Sequence, residues 1–529
     1  MLGRLLNLEY RRKGGRYEWH GRKQKGIQQP FAYGMRPVDA SPLAVLRLIL
    51  GATFWFWATD YLADDRWRIL FVQPTVLFKY AGFQWVNLWP GDGIWWHFQI
   101  ARGAAIAFAL GLLTRFSSAV LAATMTYVLL VERQIYNNHD YLLACTALLC
   151  CFLPCGRTLS LDRLLFRRDA DDSNMRLWQW WLVRFQLGLP YVFGGIAKLD
   201  SDWLAGQPAD LFVHSRVETP VIGTLFQLPG AAFVMAWGGL LFDLSIVPAL
   251  MWNKTRPFAV VAALMFHLTN ATIFQIGVFP WFMLATLYVF FPVSFVPQLL
   301  RRFGGLLGRS GGGSRAETAQ LDRPVSGVHR VAIRLAVVYV VIQLLLPIRP
   351  WVLPGNPSWN ERGHRFAWRM MLRHKDCLLW FKIQTDNDYL IVPAKIVMTP
   401  NQLSRAPRDP ELVRQAALKL QSLAASMGQP GCQVYALHLV SLNGRPAQPL
   451  VNPTVDLTQV ERGWFSDDWV MQDPGPLPPT PWRVPFDQWW HQFEMPATFG
   501  ELRSMRPSEA EAEFDRLGAQ QRTVVRRPL

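Results

Sequence analysis

From residue 43 to residue 348 one apolar run follows another, many of them close to twenty residues long, and nothing else in the sequence limits the fold as tightly. In hydrocarbon every backbone N–H and C=O must find its partner within the protein, so runs of this length are read as membrane-spanning helices. Composition agrees: 51% hydrophobic, 13% aromatic and only 17% charged residues in 529 leave too little charge for an ordinary soluble surface and too much apolar surface for disorder. Nine candidate spans emerge, at 43–60, 94–113, 117–131, 141–155, 178–197, 231–252, 257–275, 277–293 and 331–348. Lys and Arg gather in the N-terminal segment and in the loops on its side of the membrane, which places the N-terminus in the cytoplasm and everything after about residue 349 outside. The net charge of +16 follows from that bias. The basic residues are scattered among the spans instead of forming a stripe, so nucleic acid is not an expected partner. Membrane lipid is.

Four units are expected. A basic cytoplasmic segment covers 1–42. An α-helical membrane bundle covers 43–348, with a cytoplasmic linker near 294–330 that is rich in Gly, Ser and Arg from 303 to 315. An exported α+β, β-rich domain covers 349–495, and a charged, partly disordered tail covers 496–529. In the exported part, LLWFKI (378–383), YLIVP (389–393) and QVYALHLV (433–440) read as strands, 409–427 as a helix, Asn443-Gly444 as a turn and the Pro/Trp-rich stretch 472–490 as a surface crossing. No cleavable signal peptide is expected, because about forty polar, basic residues precede the first apolar run. The six cysteines show no zinc spacing, and no metal site is expected; Cys377 and Cys432 are the one pair left that could close a disulfide. There is no HExxH, Walker loop or GxSxG.

Polar groups at membrane depth need partners or a purpose, which singles out Arg47, Arg102, Arg184, Asp243, His267 and Asn270. The plainest reading pairs Asp243 with an arginine. Three constellations are sharper: Tyr136-Asn137-Asn138-His139 after the third span, Gly194-Gly195-Ile196-Ala197-Lys198-Leu199-Asp200 after the fifth, and His267-Leu268-Thr269-Asn270 in the seventh. Those three spans run in one direction, so the groups converge on the outer face. A lysine desolvated at an apolar helix end can serve as a general base near neutral pH; the competing reading is a lysine snorkelling to the interface. Each histidine or asparagine alone is as easily interhelical glue.

With these residues in view the chain resembles the vitamin K-dependent γ-glutamyl carboxylases. The resemblance is carried by SPLAVLRLILG (41–51), YNNHDYLL (136–143), YVFGGIAKLDSDWLAGQ (191–207), LLFDLS (240–245) and FHLTNATIFQIGVFPWFMLA (266–285) in the bundle, then by WRMML (368–372), VSLNGRPAQ (440–448) and NPTVDL (452–457) outside it. It implies an enzyme that uses reduced vitamin K (a menaquinol or phylloquinol), dioxygen and carbon dioxide to convert peptidyl glutamate to γ-carboxyglutamate, with coupled epoxidation of the quinone. A lysine deprotonates the quinol, reaction with dioxygen yields an alkoxide, and that strong base removes the γ-hydrogen. Some such device is needed, because no side chain is basic enough to take that proton directly.

Residue by residue, Lys198 matches the family's catalytic base, Asn138 and His139 its Asn-His pair near the quinone head group, and His267 a further site histidine, with Asn270 on the same helix grouped beside it. Where better-known members carry two consecutive lysines, this chain has Ala197-Lys198 and keeps the second. Trp359, Trp368, Met370, Met371 and Arg373 match the region that meets the glutamate-containing peptide or protein substrate; around Arg369 and Arg373 the charges depart from the animal pattern. Two other readings stay open: a quinol-oxidising membrane enzyme without peptide carboxylation, and a membrane transporter or scaffold whose buried charges bind an ion or lipid. The scarcity of N-x-S/T sequons in the exported part favours a bacterial periplasm over an endoplasmic lumen.

Overall fold

Proline and glycine set where the apolar stretches begin and end. In the computed structural model α1 (Ser41–Leu62) opens with Pro42 in its first turn, where the missing N–H would have had no partner. The next helix, α2 (Gly93–Leu110), stops at Gly111, at φ +71°, a left-handed position that favours glycine. A Cβ there would also lie 2.6 Å from the Arg47 guanidinium. The bundle continues with α3 (Thr114–Val131), α4 (Asn138–Phe152), α5 (Leu177–Ala197), α6 (Ala231–Met251), α7 (Arg256–Ile273), α8 (Phe279–Ala285), α9 (Phe295–Leu306) and α10 (Gly327–Val352). The structure describes residues 8–13, 16–21, 33–166, 173–219, 222–274, 276–306, 327–461, 463 and 468–525. Most of the Gly/Ser/Arg linker lies outside them.

Helix is present in each candidate span, but the count of nine is not confirmed. Among the described residues four helical stretches are long and apolar enough to cross a membrane, Ser41–Asp65, Thr114–Val131, Ala231–Met251 and Arg330–Val352, or five if Phe279–Phe290 and Phe295–Phe303, bent by 96°, make one span. The others fall short for visible reasons. α4 has 15 residues, too few for a hydrocarbon core of about 30 Å, and α5 and α7 carry Arg184, Gln186, His267 and Asn270 among their apolar residues.

The N-terminal segment holds an antiparallel hairpin, β1 (Leu8–Lys13) with β2 (Arg16–Gly21), and a short pair, β3 (Pro37–Asp39) with β4 (Asn174–Arg176), ties the start of α1 to that of α5. The C-terminal region is built on an antiparallel four-stranded sheet, in the order β6 (Tyr389–Pro393), β5 (Lys375–Gln384), β7 (Gln433–Leu442), β8 (Gln448–Pro449). Strand alternation gives it two faces. Leu379, Phe381, Val434 and Ala436 pack on Leu412, Val413, Ala416 and Leu420 of α11 (Pro410–Ser426). Trp380, Leu437 and Leu439 pack on Trp489, Trp490, Phe499 and Leu502, so the Pro/Trp-rich stretch does run over a sheet face. The charged tail is helical over α12 (Pro507–Val525), and Lys395 bridges to Glu511 (2.6 Å) and Asp515 (2.8 Å) on it.

Cys377 and Cys432 are both free thiols. Cys377 stands opposite Val440, whereas Cys432 lies just beyond the Gln433/Gln384 pair at the far end of the same two strands, roughly 25 Å away at strand spacing, so no disulfide can close between them.

Loops of the bundle are built into the C-terminal region. Phe78, from the α1–α2 connection, is fully buried in the core beneath α11. Gln402 donates to the Val76 carbonyl at 2.8 Å, and Arg133, after α3, pairs with Asp409 at 2.7 Å. Asp409 also accepts the Glu411 N–H at 3.0 Å as the N-cap of α11.

Two neighbouring glycines bring α5 against α6. A Cβ on Gly195 would lie 2.7 Å from Leu244 Cδ2 and 3.1 Å from the Leu244 backbone nitrogen. Gly195→Ala therefore has to push α6 away, and we expect a loss of about 1–3 kcal/mol, read as a lower thermal midpoint of the detergent-solubilised protein. An unchanged midpoint would show that the contact is not close.

Candidate functional site

Lys198 caps the C-terminal end of α5, where its backbone N–H bonds the Gly194 and Gly195 carbonyls and its positive charge suits the helix dipole. The ammonium does not snorkel outward. The residue is 5% exposed, and Nζ donates to Asp243 Oδ2 of α6 at 2.5 Å. It also lies 5.2 Å from the Trp203 ring, which is anchored by its Nε1–H donating to the Ala236 carbonyl at 2.7 Å.

Asp243 thus takes a lysine, not an arginine, as its partner. The bundle arginines bond main-chain carbonyls instead. Arg47 donates to Ala109 (3.2 Å), Cys155 (2.9 Å), Thr158 (3.3 Å) and Leu159, and Arg184 to Val289 (2.8 Å) and Phe291. Helix and loop ends leave such carbonyls unpaired, and a guanidinium's fork of donors can serve several at once. Arg102 donates to Gln99 at 3.3 Å.

The histidines stand beside this pair through a chain of rings. Tyr191, on α5, meets His267 Nε2 of α7 at 2.8 Å through its hydroxyl, and its ring lies 6.0 Å from Phe242, the neighbour of Asp243. Phe279 lies between two histidines, 5.6 Å from the His139 ring and 6.5 Å from that of His267. His267 Nδ1 is buried without a hydrogen-bond partner among the described residues. Asn138 accepts from the Tyr136 hydroxyl at 3.0 Å and donates to the Arg369 carbonyl at 3.4 Å. Asn270 is half-buried, and among the described residues its side chain bonds none of the others.

Over the C-terminal end of α5 runs a strap from the C-terminal region, residues 361–372. Its backbone is strained: Glu361, Phe366, Trp368 and Met371 all have φ between +55° and +62°, a conformation held by surrounding contacts and concentrated at functional sites. The Phe366 N–H donates to the Tyr136 hydroxyl at 2.8 Å. The Trp368 ring lies 5.1 Å from that of Tyr141, and its Nε1 is buried without a partner among the described residues. Met370 reaches the α5 glycines, where a Cβ on Gly194 would lie 3.1 Å from its Cε and 3.3 Å from Asp243 Oδ2. Met371 and Leu372 pack with Ala197 and Trp203.

Of the residues expected to meet substrate, Trp368, Met370 and Met371 therefore join the Lys198 neighbourhood. Trp359 does not: it is buried among Val440, Leu442 and Leu450 in the C-terminal region's own core, its Nε1–H on the Met471 carbonyl at 3.0 Å. Arg373 pairs with Glu361 at 2.6 Å, and Lys375 reaches the same carboxylate at 2.8 Å.

Burial alone would raise the Glu361 carboxyl, but the Arg373 and Lys375 charges outweigh it and bring it from 4.5 to about 2. A carboxyl depressed on folding stabilises the fold above its unfolded pKa. The contribution, about 3 kcal/mol, is complete above about pH 4.5 and is lost as the pH falls through 2. Melting the wild type and Glu361→Gln across that window should show a steep acid loss in the first and a lower, flatter curve in the second; parallel curves would contradict the assignment.

A second buried cluster ties the Lys198 loop to the C-terminal region. Arg445 holds Asp202 with two bonds of 2.6 and 2.8 Å, and Asn443 donates to the same carboxylate at 2.9 Å. Asn443 was expected to mark only a turn, and it does, at φ +52° before Gly444 at +79°, while also reaching the bundle.

Sequence reading missed Tyr191, the Asp243 partnership and this clamp. The YVFGG and LLFDLS runs contained the first two, and their helical spacing was the available signal: Tyr191 is seven residues, two turns, before Lys198 on the same face. No local signal marks the clamp, whose partners lie 243 residues apart.

No solved structure matches the chain. Residues 35–295 match the HTTM domain, and residues 328–475 match the vitamin K-dependent gamma-carboxylase lumenal domain. The first covers the helices that carry Lys198, Asp243 and both histidines, and the second covers the strap and all four strands of the sheet. Joined in that order, they make the chain a vitamin K-dependent carboxylase-type protein.

Proposed function

We propose that the protein carboxylates peptidyl glutamate at the γ-carbon in a reaction driven by oxidation of reduced vitamin K, with Lys198 as the base that takes the quinol proton. The observation that carries this reading is the buried Lys198/Asp243 contact of 2.5 Å on the same bundle face as two histidines, beneath the strap of the C-terminal region.

The residues present fit a flat aromatic ring with a hydroxyl at each end. Phe279 and the His139 ring offer apolar faces, while buried His267 Nδ1 and Trp368 Nε1 lack partners among the described residues and are suited to hydrogen-bond a polar ligand. When bound, reduced vitamin K supplies, with dioxygen, a base strong enough to remove the γ-hydrogen of glutamate. Lys198 holds or releases a proton at Nζ, and the short contact to Asp243 lets that proton move without stranding a lone charge in an apolar site. Tyr191 fixes the orientation of the His267 ring through Nε2, leaving Nδ1 to face a ligand. Asn138 holds the strap by the Arg369 carbonyl, and the strap's Trp and Met side chains exclude water. Dryness matters because water would quench a strong base before it met the peptide.

The four apolar helices and the lumenal-domain match support placing the C-terminal region and the peptide on the outer side of the membrane. The test is one reaction of purified protein, reduced vitamin K, oxygen, a glutamate-rich peptide and labelled carbon dioxide, with label in peptide and quinone epoxide both measured. The proposal expects both. Epoxide with no labelled peptide would favour quinol oxidation without carboxylation, and neither product from folded, quinone-binding protein would favour a transporter or scaffold.

A further inference from the structure

Most arginines where the strap meets the bundle have a carboxylate in contact. Arg373 has Glu361, Arg133 and Arg365 share Asp409, and Arg445 has Asp202. Arg369, in the middle of the strap, differs. It is 4% exposed, and among the described residues its guanidinium makes one long hydrogen bond, 3.3 Å to the Ser358 hydroxyl. Its Nε is buried, with no partner among those residues. Asp200, the acid whose charge it feels most, forms no ion pair with it among the described residues and accepts the Asp202 N–H at 3.1 Å instead.

A buried cation without a counter-charge is costly, and a protein retains one where a charged ligand completes it. The position fits such a ligand. Arg369 follows Trp368, whose Nε1 is also unpartnered, and precedes Met370, which lies on Gly194 one turn before Lys198. Asn138, Asp200 and Met370 around it are only half-buried, so an extended chain can approach. Arginine's planar fork of N–H donors matches a carboxylate and cannot be deprotonated.

We propose that Arg369 binds the side-chain carboxylate of the acceptor glutamate and sets the preference for Glu over Gln. This rests on the carboxylase reading for the identity of the acceptor, while its test is binding alone. A capped peptide with one central glutamate and its glutamine twin would be titrated against the full-length protein in detergent.

The wild type should bind the glutamate peptide more tightly than the twin. In Arg369→Gln that preference should vanish, with glutamate-peptide affinity falling on the order of ten- to a hundredfold. Arg369→Lys, which restores the charge but not the fork, should recover part of it and so excludes simple misfolding. Equal binding of the two peptides by the wild type, or a preference that survives in Arg369→Gln, would overturn the inference. A preference that depends on Arg369 in a protein that incorporates no carbon dioxide would instead sink the carboxylase reading and leave Arg369 as a carboxylate site.

Discussion

Replacing Lys198 with arginine will remove both carboxylation and quinone epoxidation while leaving the thermal midpoint close to that of the wild type. A guanidinium keeps the positive charge beside Asp243, now 2.5 Å from the lysine nitrogen, but stays protonated at any working pH. If Lys198 served only to neutralise Asp243, this variant would keep its activity. As a base it must give and take a proton, and losing general-base catalysis costs typically on the order of 10²–10⁴-fold in rate. Lys198→Ala should lose activity to the same extent. It should also melt lower, because it leaves Asp243 buried without its partner. Reading both products and the melting curve for the two variants separates the catalytic role from the structural one. Near-normal turnover by Lys198→Arg would remove the lysine from the chemistry.

Breaking the Asp202/Arg445 clamp will cost the most stability. The carboxylate is bonded twice by Arg445 and once by Asn443, all buried, and removing one partner strands the opposite charge away from water. Loss of one side of such a pair costs about 3–5 kcal/mol, so Arg445→Ala and Asp202→Ala should each lower the thermal midpoint by several degrees. The double variant should recover part of the loss, because no lone charge remains. Catalysis should respond unevenly. Asp202 lies four residues beyond Lys198, and the clamp joins that loop to the end of β7, so peptide carboxylation, for which the C-terminal region must present the acceptor, should fall further than quinol oxidation, whose base stands on α5. Additive losses in the double variant, or equal losses of the two activities, would show that the clamp does not hold the peptide side to the quinone side.

Local chemistry was legible in the sequence and long-range pairing was not. Lys198 stood out because an ammonium at the end of an apolar helix demands explanation, His267 because a polar group at membrane depth does, and His139 because it closes the Tyr136-Asn137-Asn138-His139 run after the third span. The strands and the 409–427 helix could be read from their periodicity. Asp243 was misassigned because arginines outnumber other cations in the bundle sequence and nothing local shows that they bond carbonyls. The span count is not confirmed for a related reason. Helices such as α5 and α7 carry polar residues that bond other parts of the chain, Arg184 to Val289, Gln186 to Tyr339 and His267 to Tyr191, which dilutes their hydropathy, and α8 bends sharply into α9. The strap was legible only as a motif. That WRMML leaves its own sheet to cover Gly194 depends on positive-φ residues at 361, 366, 368 and 371, for which a sequence of Glu, Phe, Trp and Met gives no hint. Trp359 was grouped with the peptide contacts by the resemblance, and its burial in the sheet core is a matter of packing that no local signal marks.

The most direct test follows tritium placed on the γ-carbon of a glutamyl peptide. Lys198, Asp243 and the strap are held here to make one event possible, removal of a γ-hydrogen by a base formed only when quinol is oxidised in a dry site. Tritium release to water should require reduced vitamin K and oxygen together, should continue when carbon dioxide is left out, and should vanish in Lys198→Arg. Release that proceeds without quinol, or that Lys198→Arg leaves intact, would contradict the assignment of Lys198 and its surroundings as the site where quinol oxidation is turned into proton abstraction.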